Sequence, residues 1–205
     1  MARTSKVAKR KIAERDEVFP SAASMVYDHT QHDGFATIPK VMPLIFQIMD
    51  EVSKDKLSMV YFDLFCFVFN TKEGYLTALI PKSRAYYAGL HGQRATYIWI
   101  ERMRKLKDLG FILTKEGESG EFHHVMIVNP LRVVHAITKD PPKHLDKVLV
   151  QTYISRLREA GTEPDSLDVQ KADPLDFLAA LPASPPMPSP PHAGPYVKRP
   201  KKTAK

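Results

Sequence analysis

PKSRAYYAGLHGQRATYIWIERMRKLKDLGFILTKEGESGEFHHVMIVNP, residues 81–130, reads as a short helix, a tight turn, a long basic helix and a β-hairpin. The long helix is predicted over 93–109. At 100° per residue, Ala95, Ile98, Trp99, Met103, Leu106 and Leu109 fall on one side as a core-facing stripe. Gln93, Thr96, Tyr97, Ile100, Arg104 and Lys107 fall on the other. Gly110 ends the helix, because a left-handed residue after the last turn costs glycine almost nothing. Arg102 projects from the apolar arc and is expected either to pair with a carboxylate such as Asp63 or to reach past the core edge. Ile100 is expected as a lone exposed apolar residue on the outward face.

Working outward, Ser83 is placed to cap a short helix from Arg84 to Leu90, and Gly92 supplies the turn into the long helix. Downstream, Phe111–Lys115 and Phe122–Val128 are β-prone runs joined by the polar, glycine-containing segment 116–121, so a hairpin is expected. Residues 75–80 (YLTALI) supply a candidate third strand. The stretch LHGQRATYIWIERMRKLKDLGFI, with its Trp99, Met103, Leu106, Gly110 and Ile112 spacing, resembles the winged helix-turn-helix DNA-binding proteins. The resemblance covers about a third of the chain, or half with flanking helices. It is most similar in layout to DNA-binding proteins of bacterial plasmids and mobile elements, including replication initiators. Those initiators carry two winged domains in tandem and this chain has room for one, which favours a regulator or accessory factor.

Charge agrees with that resemblance. Between Lys82 and Lys107 stand Lys82, Arg84, Arg94, Arg102, Arg104, Lys105 and Lys107 against a single acid, Glu101. The net charge is +7 and the pI near 9.4, a balance that neutralises phosphates and releases counterions. The hairpin carries Glu116, Glu118 and Glu121 against Lys115 alone. Phosphate would repel such a wing, so helix contacts have to dominate.

The chain of 205 residues is long enough for one domain with a core, plus tails. Its one cysteine, Cys66, excludes an internal disulfide, and its apolar neighbours suggest a core thiol. MARTSKVAKRKIAER is basic, no apolar run follows it, and no signal peptide is expected. The most apolar stretch, Leu57–Phe69, is short for a bilayer and contains Asp63. A cytoplasmic, nucleoid-associated protein is the expectation.

Residues 1–34 are read as a basic, mostly irregular arm able to follow phosphates or simply be solvated. The body is read over 35–160. Val41–Lys54 reads as a helix with Pro43 in its first turn, and Leu57–Phe69 as a buried helix, or alternatively a strand. Asn129-Pro130 opens a further helix. A last helix, 144–160, carries the stripe Leu145, Val148, Leu149, Tyr153, Ile154 and Leu157, which either packs on the body or forms a homodimer seam. Residues 161–205 form a Pro-rich tail expected to be disordered. Within it, DPLDFLAAL (173–181) is a candidate partner-binding peptide and VKRPKKTAK (197–205) a basic patch.

No motif for catalysis or cofactor binding stands out. There is no G-x-x-x-x-G-K loop, and no serine or cysteine lies in a nucleophile motif. His29 and His32 lack a nearby cysteine, and the adjacent His123 and His124 are expected on opposite faces of a strand. Neither an enzyme, a cofactor nor a metal site is expected. The reading is therefore a mainly α, winged-helix domain with a small β-sheet, flanking helices and disordered tails, binding double-stranded DNA. Gln93, Thr96, Tyr97 and Arg104 are assigned to the groove, and Lys82, Ser83, Arg84 and Arg94 to phosphate. The rivals are a winged-helix protein adaptor and an RNA-binding protein with basic tails, the latter drawing on Tyr86-Tyr87, of which at least one is expected in the core.

Overall fold

The computed structural model describes residues 6–20, 26, 35–68 and 74–167. It is mainly helical, with one small antiparallel sheet. In chain order the elements are α1 (Lys6–Val18), α2 (Met42–Ser53), α3 (Ser58–Phe67), β1 (Tyr75–Thr77), α4 (Pro81–Tyr87), α5 (Ala95–Asp108), β2 (Ile112–Gly117), β3 (Gly120–Ile127), α6 (Pro130–Lys139) and α7 (Lys147–Glu159). A 3-10 turn over Pro164–Leu167 follows.

The first correction lies in the arm, where 6–18 are helical rather than irregular and no residue of α1 is buried. Its sequence, KVAKRKIAERDEV, is rich in Lys, Ala, Arg and Glu and has no glycine or proline, so propensity favours a helix here even without a buried apolar stripe. His29, His32 and the segments 173–181 and 197–205 lie outside the described residues. The body also runs past its expected limit. The 3-10 turn packs on α6 and α7, where Arg132 Nε donates to the Leu167 carbonyl at 3.2 Å.

The core gathers around α3. Leu57, Val60, Tyr61 and Leu64 are fully buried, each stabilising by roughly 1.5–3 kcal/mol. The helix is not apolar-buried all round, however: Met59 and Phe67 are about half exposed, and Cys66 is exposed rather than a core thiol. Burial of part of the side chain, then the neighbouring Asp63 charge, pushes the Cys66 thiol up. Asp50 of α2 fixes the start of α3, accepting from the Ser58 backbone N–H at 2.8 Å and its hydroxyl at 2.9 Å.

α5 buries Ala95, Trp99, Met103 and Leu106 of the expected stripe and leaves Ile98 and Leu109 half-buried, Trp99 meeting Phe122 edge-on at 5.6 Å. It stops at Gly110 (φ +78). There Phe111 N–H returns to Leu106 and Gly110 N–H to Lys107, a Schellman close. α4 starts earlier than expected, with Pro81 in its first turn, so Ser83 lies inside the helix and does not cap it. It ends in the same way on Gly89 (φ +76), leaving Gly92 (φ +90) to turn the chain into α5.

The sheet has the order β1-β3-β2, all neighbours antiparallel. β1 is shorter than expected, broken by Ala78 at φ +53. In the hairpin, Lys115 pairs with His124 and Gly117 with Gly120, so Glu116 alone faces Glu121, Phe122 and His123. This bulge shifts the alternation of β3. Phe122 and Val125 are both buried, and His123 and His124 fall together with ring centroids 4.4 Å apart, not on opposite faces. Gly117 permits it, since a Cβ there would lie 2.6 Å from His123 Cγ.

Asn129 caps α6, its side chain accepting from Leu131 N–H at 3.0 Å. α7 is shorter than 144–160, and Asp146 caps it. Its stripe packs on the chain's own body rather than standing free as a dimer seam. Tyr153 and Leu157 are buried, α7 contacts α2, and Asp146 N–H donates to Glu51 at 2.6 Å. Burial pushes the Tyr153 hydroxyl up to about 12. Only Val148, 67% exposed, departs from the stripe. No helix among the described residues is long and apolar enough to cross a membrane.

Candidate nucleic-acid interface

α4, the turn at 88–94 and the start of α5 form one exposed surface. From Tyr75 to Ile100 the chain contains no acidic residue. Because α5 begins at Ala95, Gln93 and Arg94 stand in the turn just before it rather than in the helix. Gln93, Arg94 and Tyr97 are exposed and Thr96 is half-buried. The Arg94 guanidinium lies 5.6 Å from the Tyr97 ring centroid, a cation–π contact. On α4, Lys82 is exposed and Ser83 half-buried. Among the described residues no carboxylate pairs with Lys82 or Arg94.

The other arginines are placed differently, and two assignments need correction. Arg84 is buried and cannot contact phosphate. Its Nη1 sits 3.2 Å from Asp63, with side chains 5% and 8% exposed. Its guanidinium carbon is 3.5 Å from the Phe67 centroid and 4.8 Å from that of Tyr87. Burial raises the Asp63 carboxyl above its ordinary value, an effect the Arg84 charge partly offsets. Arg102 therefore does not find Asp63. It meets Asp55 at 3.3 Å, and Lys105 joins the same carboxylate at 2.5 Å. Burial works to raise Asp55, but the Lys105 hydrogen bond, the Lys56 backbone N–H and the Arg102 and Lys105 charges hold it below the usual range.

Arg104 is the second correction. Its Nε and Nη2 both donate to Glu121 of β3, at 3.1 and 2.9 Å, and its Nη1 donates to Glu101 at 2.9 Å. Glu121, then Glu101, raises the guanidinium further. A side chain so tied to the hairpin is not presented to a base edge. The same pair removes Glu121 from the free acids of the hairpin, leaving Glu116 and Glu118 exposed. Ile100 is half-buried and packs against the core, so it is not a lone exposed anchor.

Sequence reading missed the aromatic surface beside these groups. Tyr86 and Tyr87 are 66% and 59% exposed, so neither is in the core. Phe67 stacks with Tyr87 at 6.5 Å, Tyr87 meets Tyr86 at 6.2 Å, and Tyr86 meets His91 at 5.4 Å. The available signal was the spacing of Lys82 and Tyr86, one helical turn apart on a face from which Arg84, Ala85 and Ala88 turn away. On the sheet, the Tyr75 hydroxyl lies 2.6 Å from His124 Nδ1, and Ser119 N–H donates to His123 Nδ1 at 3.1 Å. Among the described residues no group of three or more His, Cys, Asp or Glu side chains is arranged to hold a metal ion.

The arrangement can present hydrogen-bonding and cationic groups, Lys82, Gln93, Arg94, Thr96 and Tyr97, and among the described residues no carboxylate pairs with Lys82 or Arg94. No protein-family model, no curated protein and no solved structure matches this chain.

Proposed function

We propose that the chain is a winged helix-turn-helix protein that binds double-stranded DNA sequence-specifically. In this reading it acts as a transcriptional regulator or replication accessory factor of a bacterial mobile element, working in the cytoplasm at the nucleoid. What supports the fold assignment is the order helix, strand, helix, turn, helix, hairpin, with the hairpin's second strand central in the sheet. The observation that carries the function is the acid-free segment 75–100, which holds α4 and the start of α5, with Lys82 and Arg94 paired to no carboxylate among the described residues. A recognition helix reads base edges with its N-terminal residues, and those are the residues left unpaired here.

In this reading Gln93, Thr96 and Tyr97 approach base edges, with Gln93 suited to adenine. Lys82 and Arg94 neutralise phosphate. The adaptor alternative loses support from the packing of Ile100 and the pairing of Glu121. The test is selection of bound duplexes from a random DNA pool by the full chain and by a Gln93→Ala/Tyr97→Ala variant. A motif enriched by the first and lost by the second is expected. Absence of enrichment by the wild type at moderate salt would overturn the reading.

A further inference from the structure

The exposed rings of α3 and α4 are not needed for groove reading by α5, nor do they belong to the core. Phe67, Tyr86, Tyr87 and His91 form an unbroken chain of ring contacts at 5.4–6.5 Å. Phe67, Tyr86 and Tyr87 are each more than half exposed. Isolated exposed aromatics need no explanation, but a connected row does. The row is also stiffened from beneath, where the Arg84 guanidinium packs on both Phe67 and Tyr87 and is itself anchored by Asp63. Rings already held in place lose little conformational entropy when a flat ligand settles on them.

Charge selects the ligand. Lys82 shares the outward face of α4 with Tyr86, Arg94 follows across the turn, and no acid lies between Tyr75 and Ile100. Intact duplex offers such rings little, because its bases are stacked on each other and only their edges reach the grooves. An unpaired strand offers base faces together with phosphates, the combination met by aromatic side chains interleaved with cations.

We propose that the Phe67–Tyr86–Tyr87–His91 face takes unpaired bases of single-stranded DNA, so that the protein prefers a locally melted duplex to an intact one. This rests on α4 and α5 forming the nucleic-acid face proposed above. Lys82 and Arg94 hold the backbone while Tyr86 and Tyr87 stack on bases displaced from the helix. Each base stacked this way strengthens binding by about tenfold.

The test compares the full chain on three labelled DNAs of about 20 nucleotides per strand, a length that exceeds one such binding face. They are a thymidine oligomer, an intact duplex and the same duplex with a short central unpaired run, all at physiological salt. Tyr86→Leu/Tyr87→Leu keeps apolar cover over Arg84 but removes the rings, and Tyr86→Phe/Tyr87→Phe keeps the rings without hydroxyls. Wild type and the Phe variant should bind the melted duplex about tenfold or more tighter than the intact one. The Leu variant should lose that preference while its affinity for intact duplex is unchanged. Equal binding of melted and intact duplex by the wild type, or a preference retained by the Leu variant, overturns the inference and leaves the duplex reading standing. Ring-dependent binding of the thymidine oligomer with no affinity for intact duplex has the opposite meaning: the inference survives and the duplex reading fails. A uridine oligomer bound more tightly than the thymidine one overturns the assignment to DNA.

Discussion

The two ends of α5 carry similar charge and have different fates. At its start, Arg94 meets no carboxylate among the described residues and leans over the exposed ring of Tyr97. Past its middle, Arg102 and Lys105 share Asp55, and Arg104 is divided between Glu101 and Glu121. The second group ties the helix to the α2–α3 connection on one side and to the hairpin on the other. A count of basic residues treats both groups alike. In a fold, a cation already matched by a carboxylate contributes little to a phosphate site, because it must first give up its partner. Arg84 on α4 marks the extreme of that division, being basic in the sequence and structural in the molecule.

The largest effect is expected where the structural set is most buried. Asp63→Ala leaves the Arg84 guanidinium buried without a counter-charge, and should lower unfolding free energy by about 3–5 kcal/mol in urea titrations. The double change Asp63→Leu/Arg84→Met should recover most of that loss, since it removes both charges. If the single change were harmless, Arg84 would be reaching solvent and would return to the binding set.

Asp55 comes next. Asp55→Asn should cost about 1 kcal/mol at neutral pH, a modest figure for a partly exposed network. Its folded value lies below its unfolded one. Its stabilising effect is therefore present above the unfolded value near 3.8 and lost as pH falls through the folded value. Unfolding curves of wild type and variant should converge below that point. A difference between wild type and Asp55→Asn that persisted in acid would show the Asp55 pairing to be no source of stability. Smallest of the three, Arg104→Ala should change stability by about 0.5 kcal/mol, since its side chain is more than a third exposed.

Patterns confined to one element were legible in the sequence. Most of the buried stripe of α5, its stop at Gly110 and the Asn129 cap depend on residues a few positions apart and appear where periodicity and capping chemistry put them, whereas Ile100 rather than Ile98 packs against the core. Partners distant in sequence were not legible. Lys105 meets Asp55 and Arg104 meets Glu121 only because the fold brings α5 against the α2–α3 connection and β3. Chemistry alone calls for a carboxylate beside Arg102, with Asp63 one candidate, but geometry supplies Asp55 and gives Asp63 to Arg84. The bulge opposite Glu116 likewise left no local signature, yet it brings His123 and His124 together. Of the candidate site, Lys82, Gln93, Arg94 and Tyr97 are exposed, while Arg84 and Arg104 are held elsewhere. The aromatic row was half-visible as Tyr86-Tyr87, but its link to Phe67 required the packing of α3 against α4.

The division of α5 is tested most directly by the salt dependence of duplex binding for wild type, Arg94→Ala and Arg104→Ala. If only the start of the helix faces DNA, Arg94→Ala should weaken binding and reduce the slope of log affinity against log salt by about 1, one phosphate contact's worth. Arg104→Ala should leave that slope unchanged. A slope reduced by Arg104→Ala and untouched by Arg94→Ala would contradict the account, showing that Arg104 exchanges Glu121 for phosphate on binding.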